Sequence, residues 1–244
     1  MNKAQAYPLY LQVKEEILAK IDSNIFKEHE AISSEFELVE KYKVSRITIR
    51  RAIQELVREG HLVTKQGLGT FVTQPKIVQN LNTISSWAET MESRRIKTYT
   101  KNLLIKEEVA PARIAKLLNI DTNGTVYRME RLRHASGEPI CIMVNYLLPS
   151  IAPGIIEEKL IDDSLYATLE NRYNVKLWRA EETVEAKAAK TKEHELLGVR
   201  RGVPLLQVTR ITYDENDTPF EVVIATSRAD KYAYTVNLVG RPKK

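Results

Sequence analysis

Two arginine pairs have spacings that permit specific chemistry. Arg131 and Arg133 alternate inside Val126 to Ala135, a run that reads as a strand. Residues two apart on a strand leave the same sheet face, so both guanidiniums point one way. Two like charges side by side repel unless an anion or a carboxylate lies between them. The pair is therefore an anion site, or it is tied to a local carboxylate such as Glu130 or Glu221 and holds the sheet together. Arg46 and Arg50 lie one helical turn apart behind Ser45, with Thr48 and Arg51 beside them. That face suits phosphate oxygens and guanine edges. A merely solvated basic face is the plainer alternative.

Residues that could do covalent or metal chemistry are sparse. His29, His61, His134 and His194 are scattered, with no His or carboxylate at ligand spacing. Cys141, the single cysteine, sits in the apolar run Ile140 to Val144 and reads as a small core residue. It forms no internal disulfide. Gly67 and Gly69 are too few to make a phosphate-cradling loop. No catalytic residue, metal site or cofactor is expected.

Composition agrees with an ordinary globular protein. Of 244 residues 43% are hydrophobic and 28% charged, which excludes wholesale disorder. Apolar stretches such as Val199 to Val208 are broken well short of the roughly 20 residues that span a bilayer. No apolar run follows Lys3, so no signal peptide is expected, and the chain is expected in the cytoplasm with no membrane partner. The net charge of +5 says little, but its distribution says more. Residues 1–40 hold four Lys and eight Asp/Glu, whereas residues 41–76 hold eight Lys/Arg and two Glu. Such a reversal suits a small domain with one anion-facing surface.

The elements that position these residues follow from periodicity and caps. Leu9, Val13, Ile17, Leu18 and Ile21 recur at helical spacing behind Pro8. Ser34 with Glu37 is a capping box for a short helix ending near Tyr42. Lys43-Val44 is a turn, and Ser45 caps a third helix with Ile49, Ile53, Leu56 and Val57 inward and Gly60 as its stop. His61 to Thr64 and Thr70 to Thr73 flank Lys65 to Gly69 as a hairpin, with Lys65, Gln66 and Gly67 at its tip. Helix, helix, tight turn, helix and hairpin make a winged helix-turn-helix plan.

Beyond a polar stretch from Pro75 to Asn80 that reads as a linker, the pattern changes to strands with helices between them. Helices are expected from Ser85 to near Arg95, over Ala112 to Leu118, Ser164 to Tyr173 and Lys192 to Leu197. Strands are expected over Thr98 to Glu108, Val126 to Ala135, Ile140 to Leu148, Lys176 to Ala186, Leu205 to Tyr213 and Phe220 to Ser227, with Ser136-Gly137-Glu138-Pro139 as a turn. The chain is expected to be α+β in two domains: residues 1–74 as the winged helix-turn-helix, 75–82 as a linker and 83–244 as an antiparallel sheet with helices.

Residues 8–73, through Val44-Ser45-Arg46-Ile47-Thr48-Ile49-Arg50-Arg51-Ala52, Glu59-Gly60 and Gln66-Gly67-Leu68-Gly69-Thr70-Phe71-Val72, resemble the DNA-binding domain of GntR-family transcription regulators. Phe36 replaces an arginine common in that family, Ile47 a small hydroxyl residue, and Asn24 to His29 lacks the usual Gly and Pro. The later region, through Ser85-Ser86-Trp87, Arg131-Leu132-Arg133, Glu138-Pro139-Ile140, Ser164-Leu165-Tyr166, Arg201-Gly202-Val203-Pro204-Leu205-Leu206 and Pro219-Phe220-Glu221, resembles the UTRA ligand-sensing domain of the HutC branch, whose fold is like chorismate lyase.

The resemblance implies DNA contacts from Ser34, Ser45, Arg46, Thr48, Arg50, Arg51, Lys65, Gln66 and Gly67. It implies an effector site of Ser85, Ser86, Trp87, Arg131, Arg133, Ser164, Tyr166 and Glu221, taking a small anion such as a sugar phosphate. It implies further a homodimer that represses from a pseudo-palindromic operator and is released by that effector. Met143 and Ser227 depart from the amino-sugar sensors, which carry Glu and Tyr there. A lyase-like domain tethered to DNA and a ligand-independent architectural DNA binder are the competing readings.

Overall fold

The structure, a computed structural model, describes residues 7–23, 25–73 and 76–240. The leader reading of the first six residues, Asn24 of the first turn and Pro75 at the head of the expected linker lie outside the described residues. The chain divides into two compact units, Met1–Lys76 and Ile77–Lys244.

The first unit has three helices, α1 (Leu9–Asp22), α2 (Glu35–Tyr42) and α3 (Arg46–Arg58), and a hairpin of β1 (Leu62–Lys65) and β2 (Gly69–Val72). Both expected caps form. Ser34 Oγ accepts from the Glu37 N–H at 3.3 Å while Glu37 accepts from the Ser34 N–H at 2.7 Å. Ser45 Oγ accepts from the Thr48 N–H at 3.2 Å. Lys43, in the left-handed region at φ 52°, turns the chain between α2 and α3. Burial of Ile17, Leu38, Ile49, Leu56, Leu62 and Val72 in one core fixes how the helices and hairpin pack. The hairpin gains a third short partner that the sequence pattern did not show. Ala31 bridges Phe71, and the Ile32 N–H donates to Thr70 O at 2.9 Å. The result is a winged helix-turn-helix.

The second unit runs β3 (Ile77–Asn80), α4 (Trp87–Glu92), β4 (Thr98–Val109), α5 (Ala112–Leu118), β5 (Thr125–Ala135) and β6 (Glu138–Leu147). Two 3-10 turns follow, then α6 (Leu165–Tyr173), β7 (Arg179–Ala188), α7 (Thr191–Leu197), β8 (Pro204–Tyr213), β9 (Pro219–Arg228) and β10 (Tyr232–Thr235). Six strands form one antiparallel sheet in the order β4-β5-β6-β9-β8-β7. No helix among the described residues is long and apolar enough to cross a membrane.

Two expectations need correction. Residues 77–80 are not linker. They form β3, paired in parallel with β10 from Tyr232↔Ile77 to Thr235↔Asn80, with Ile77 buried in the same core as Tyr232. The turn between β5 and β6 is only Ser136-Gly137, at φ 51° and 84°. Positive φ at both central residues is what a tight two-residue hairpin requires. Glu138 and Pro139 already belong to β6, and a register shift at Arg133/His134 absorbs one extra residue before Cys141 pairs with Arg133.

Ile49 is fully buried at the centre of the first unit. Ile49→Ala is expected to destabilise that unit by about 2–5 kcal/mol in urea unfolding. A loss under about 1 kcal/mol would show that α3 is not locked by this core.

Candidate functional site

On α3 the two expected arginines are exposed and share one partner. The side chains of Arg46 and Arg50 retain 71% and 56% of their accessible surface. Arg46 Nε donates to Glu35 Oε2 at 2.9 Å and Arg50 Nη2 to the same oxygen at 3.3 Å. Arg50, then Arg46, holds the Glu35 carboxyl below the usual carboxylate range. Exposed pairs of this kind contribute little stability, but they bring two cations to one spot on the helix. Phe36 and Ile47 stand exposed at the starts of α2 and α3, where apolar contact with a thymine methyl is chemically suitable.

The remaining expected contacts divide by their engagement. Ser34 and Ser45 spend their hydroxyls as caps, and Thr48 Oγ1 lies 2.8 Å from Ser45 Oγ. Arg51 lies over the Tyr10 ring at 4.0 Å, which attaches it to α1, whereas Arg46 and Arg50 are bound to Glu35. Lys65 lies over Phe71 at 4.7 Å. Gly67 sits at the hairpin tip with φ 74°, a backbone conformation that strains a larger residue although the space around it is open.

The second unit holds a cavity of about 60 Å³ on one face of its sheet. Strand register builds the floor in rows. Arg131, Met143, Ala225 and Val208 are successive partners across β5, β6, β9 and β8. Arg133, Cys141 and Ser227 form the next row, and Asn145, Val223, Arg210 and Glu182 the row on the other side. The roof comes from Ser85 to Ala88 at the start of α4, Ser164 to Tyr166 at the start of α6, and Gln79, Tyr232 and Tyr234 of the β3/β10 pair. Tyr232 stacks on Trp87 with ring centres 6.0 Å apart and donates to Gln79 Oε1 at 2.8 Å.

The electrostatics of this cavity are unusual. Arg131 is buried to 1% exposure, and its Nη2 donates to Asn145 Oδ1 at 2.8 Å. Among the described residues its Nε and Nη1 have no acceptor, nor do Arg133 Nε and Trp87 Nε1. Burial, then the neighbouring charge of Arg133, pushes the Arg131 guanidinium down to about 9. Arg133 has Asp163 at 2.7 Å. Glu130, a partner weighed for the pair, is instead taken by Arg128 at 2.7 Å and Lys192 at 2.5 Å.

Glu221 also needs correction as a wall residue. It is fully buried one row behind the cavity and does not line it. Its carboxylate accepts from Asn145 Nδ2 at 2.8 Å and from the Tyr166 and Thr212 hydroxyls at 3.0 Å each. Burial raises its pKa against those three donors. It positions Asn145 and Tyr166. Ser164 lines the cavity while capping α6, and the Ser86 N–H is taken by Glu89 at 2.8 Å. Cys141 lines the floor as a buried thiol pushed up to about 11 by burial, so it stays protonated and fits the expected core role.

Sequence reasoning missed Asn145, Arg210, Glu182, Gln79 and Tyr234. Arg210 donates to Ser85 O at 2.9 Å, to Tyr166 OH at 3.2 Å and to Glu182 at 2.5 Å. Alternation on β8 puts Arg210 on the same face as Val208, a signal available once β8 is assigned. No local pattern marks Gln79 or Tyr234.

Because Glu35 neutralises and aligns the two α3 arginines, Glu35→Gln is expected to raise affinity for random duplex DNA severalfold and steepen its salt dependence. It is also expected to lower the ratio of specific to random binding. Fluorescence anisotropy at two salt concentrations checks this. Unchanged affinity for both DNAs would remove Glu35 from the interface.

Comparison with known proteins agrees with this geometry. The model described as "Bacterial regulatory proteins, gntR family" matches residues 9–72, and that described as "UTRA domain" matches residues 93–233. The HTH-type transcriptional repressor NagR of Bacillus subtilis is 30% identical over 96% of both chains. A probable fructoselysine utilization operon transcriptional repressor of Escherichia coli is 31% identical over 94% of both. The crystal structure of PhnF from Mycobacterium smegmatis superposes with a TM-score of 0.79 at 24% identity, covering 94% of this chain and all of that one, a likeness of fold. The chain belongs to the GntR family of regulatory proteins, with a DNA-binding winged helix-turn-helix followed by a UTRA domain of the kind that binds small effectors.

Proposed function

We propose that this protein is a cytoplasmic repressor that binds a pseudo-palindromic operator as a homodimer and releases it when a small anionic metabolite, such as a sugar phosphate, occupies the second unit. The observation that carries the ligand half of this reading is Arg131, a buried guanidinium at the floor of a cavity with two nitrogens, Nε and Nη1, that lack acceptors among the described residues. A bound phosphate or carboxylate supplies those acceptors and an opposite charge in surroundings from which water is largely excluded. Arg133 Nε and Trp87 Nε1 offer further donors, and Ser164 and Tyr166 flank them.

For the DNA half, Arg46 and Arg50 reach guanine edges from the start of α3, with Lys65 to Gly67 at the minor groove or its phosphates. Two copies set their α3 helices about 34 Å apart, one helical turn of DNA. A ligand shifts the equilibrium toward release only if it binds the released state more tightly. Gln79, on the first strand after the unit boundary, lines the cavity, so ligand contact there bears on the segment that follows the DNA-binding unit.

Two outcomes are expected. Arg133→Ala keeps operator affinity but loses the response to effector in band-shift titration. A variant that still responds at the wild-type concentration contradicts the assignment. Calorimetry with inorganic phosphate is expected to show binding that Arg131→Met weakens by about tenfold or more, since the variant loses the unspent donors and the charge. Equal affinity in the variant removes Arg131 from the contact.

A further inference from the structure

The cavity has two chemically different ends. At the β5 end stand the unspent N–H donors of Arg131 and Arg133. At the β7 end stands Glu182. Its Oε1 is held by Arg210, with Nε and Nη2 both at 2.5 Å, while its Oε2 is shielded from water and accepts no hydrogen bond from the described residues. A carboxylate oxygen removed from water without a donor is costly, just as an unpartnered guanidinium is. Between the two ends the floor presents the apolar side chains Met143, Ala225, Val208 and Val223 on β6, β9 and β8, while Asn145 and Arg210, in the row that leads to Glu182, are committed to other protein groups. Four strand spacings separate β5 from β7, about 19 Å between backbones, and the long side chains at each end shorten the open gap.

The ends are also mechanically linked. Arg131 donates to Asn145, Asn145 to Glu221, Tyr166 to Glu221, Arg210 to Tyr166 and Arg210 to Glu182, at 2.8, 2.8, 3.0, 3.2 and 2.5 Å. Each side chain along this buried path is fixed by its neighbours, so Glu182 Oε2 is held in place relative to Arg131 Nε and Nη1. Each Arg210 nitrogen already has an acceptor in Glu182, Tyr166 or Ser85 O, whereas Glu182 Oε2 receives no donor from the described residues.

We infer that Glu182 is a specificity-determining residue of this cavity, and that the effector is a two-ended molecule: an anionic group at Arg131 and Arg133, an apolar middle, and a hydrogen-bond-donating ammonium or hydroxyl group at Glu182 Oε2. This rests on the anion-site reading above and adds the second end. A simple inorganic anion fills only half of the site. A ligand with only an acceptor at the far end offers Glu182 Oε2 no donor.

The test uses the full-length protein and matched probes: inorganic phosphate, straight-chain alkyl phosphates from propyl to octyl, and their ω-amino counterparts, compared by calorimetric titration. The expected result is that, at the best length, the amino form binds roughly tenfold or more tightly than the alkyl form, as a hydrogen bond to a charged acceptor allows. Glu182→Gln, and independently Glu182→Asp, should shrink that ratio to within about twofold. Equal affinities in the wild-type protein overturn the inference without recourse to any variant, and so does a tenfold preference that survives Glu182→Gln. Failure of the underlying reading looks different: neither inorganic phosphate nor any alkyl phosphate binds.

Discussion

A guanidinium removed from water must be compensated, and Arg131 is compensated only in part. Its Nη2 reaches Asn145, while Nε and Nη1 are buried without acceptors among the described residues and Arg133 adds a second positive charge next to it. A buried cation in that condition weakens the fold. Sites that bind charge tightly often take this form, because the ligand then finds donors already desolvated and oriented. Much of the second unit can be understood as the scaffold that tolerates this cation and aims it.

The scaffold is a matter of register. Period-two alternation puts Arg131 and Arg133 on one face of β5, and pairing with Met143 and Cys141 fixes the next wall. The bulge before Cys141 re-aims the end of β6 after the tight Ser136-Gly137 turn. Glu221, one row further on, accepts three hydrogen bonds and so holds Asn145 under Arg131 and Tyr166 under Arg210. The first unit follows the opposite logic. Its cations stand in water, lightly tethered to Glu35, where a polyanion can reach them and displace counterions.

The locally encoded parts were legible in the sequence. The capping serines Ser34 and Ser45, the apolar stripe of α3, the Gly67 hairpin and the strand alternation that pairs Arg131 with Arg133 each depend on residues within a turn or two of one another. The illegible parts depend on pairing across distance. β3 and β10 are four residues each and join residues about 155 positions apart, so Ile77–Asn80 read as linker. Asn145, Arg210 and Glu182 become site residues only once strand order puts β6, β9, β8 and β7 side by side. The resemblance implies Glu221 as an effector contact, yet no sequence signal separates a carboxylate in the wall from one that braces it.

The central claim is that Arg131 serves a ligand at the expense of the fold. Its most direct test is the unfolding of Arg131→Met with and without inorganic phosphate. The account predicts that the ligand-free variant is as stable as the wild type or more so, since replacing a poorly paired buried charge by an apolar side chain is neutral or stabilising by about 1–4 kcal/mol. It predicts also that phosphate no longer raises the melting temperature. A ligand-free variant destabilised by about 3 kcal/mol or more, with the phosphate-induced rise intact, would contradict it.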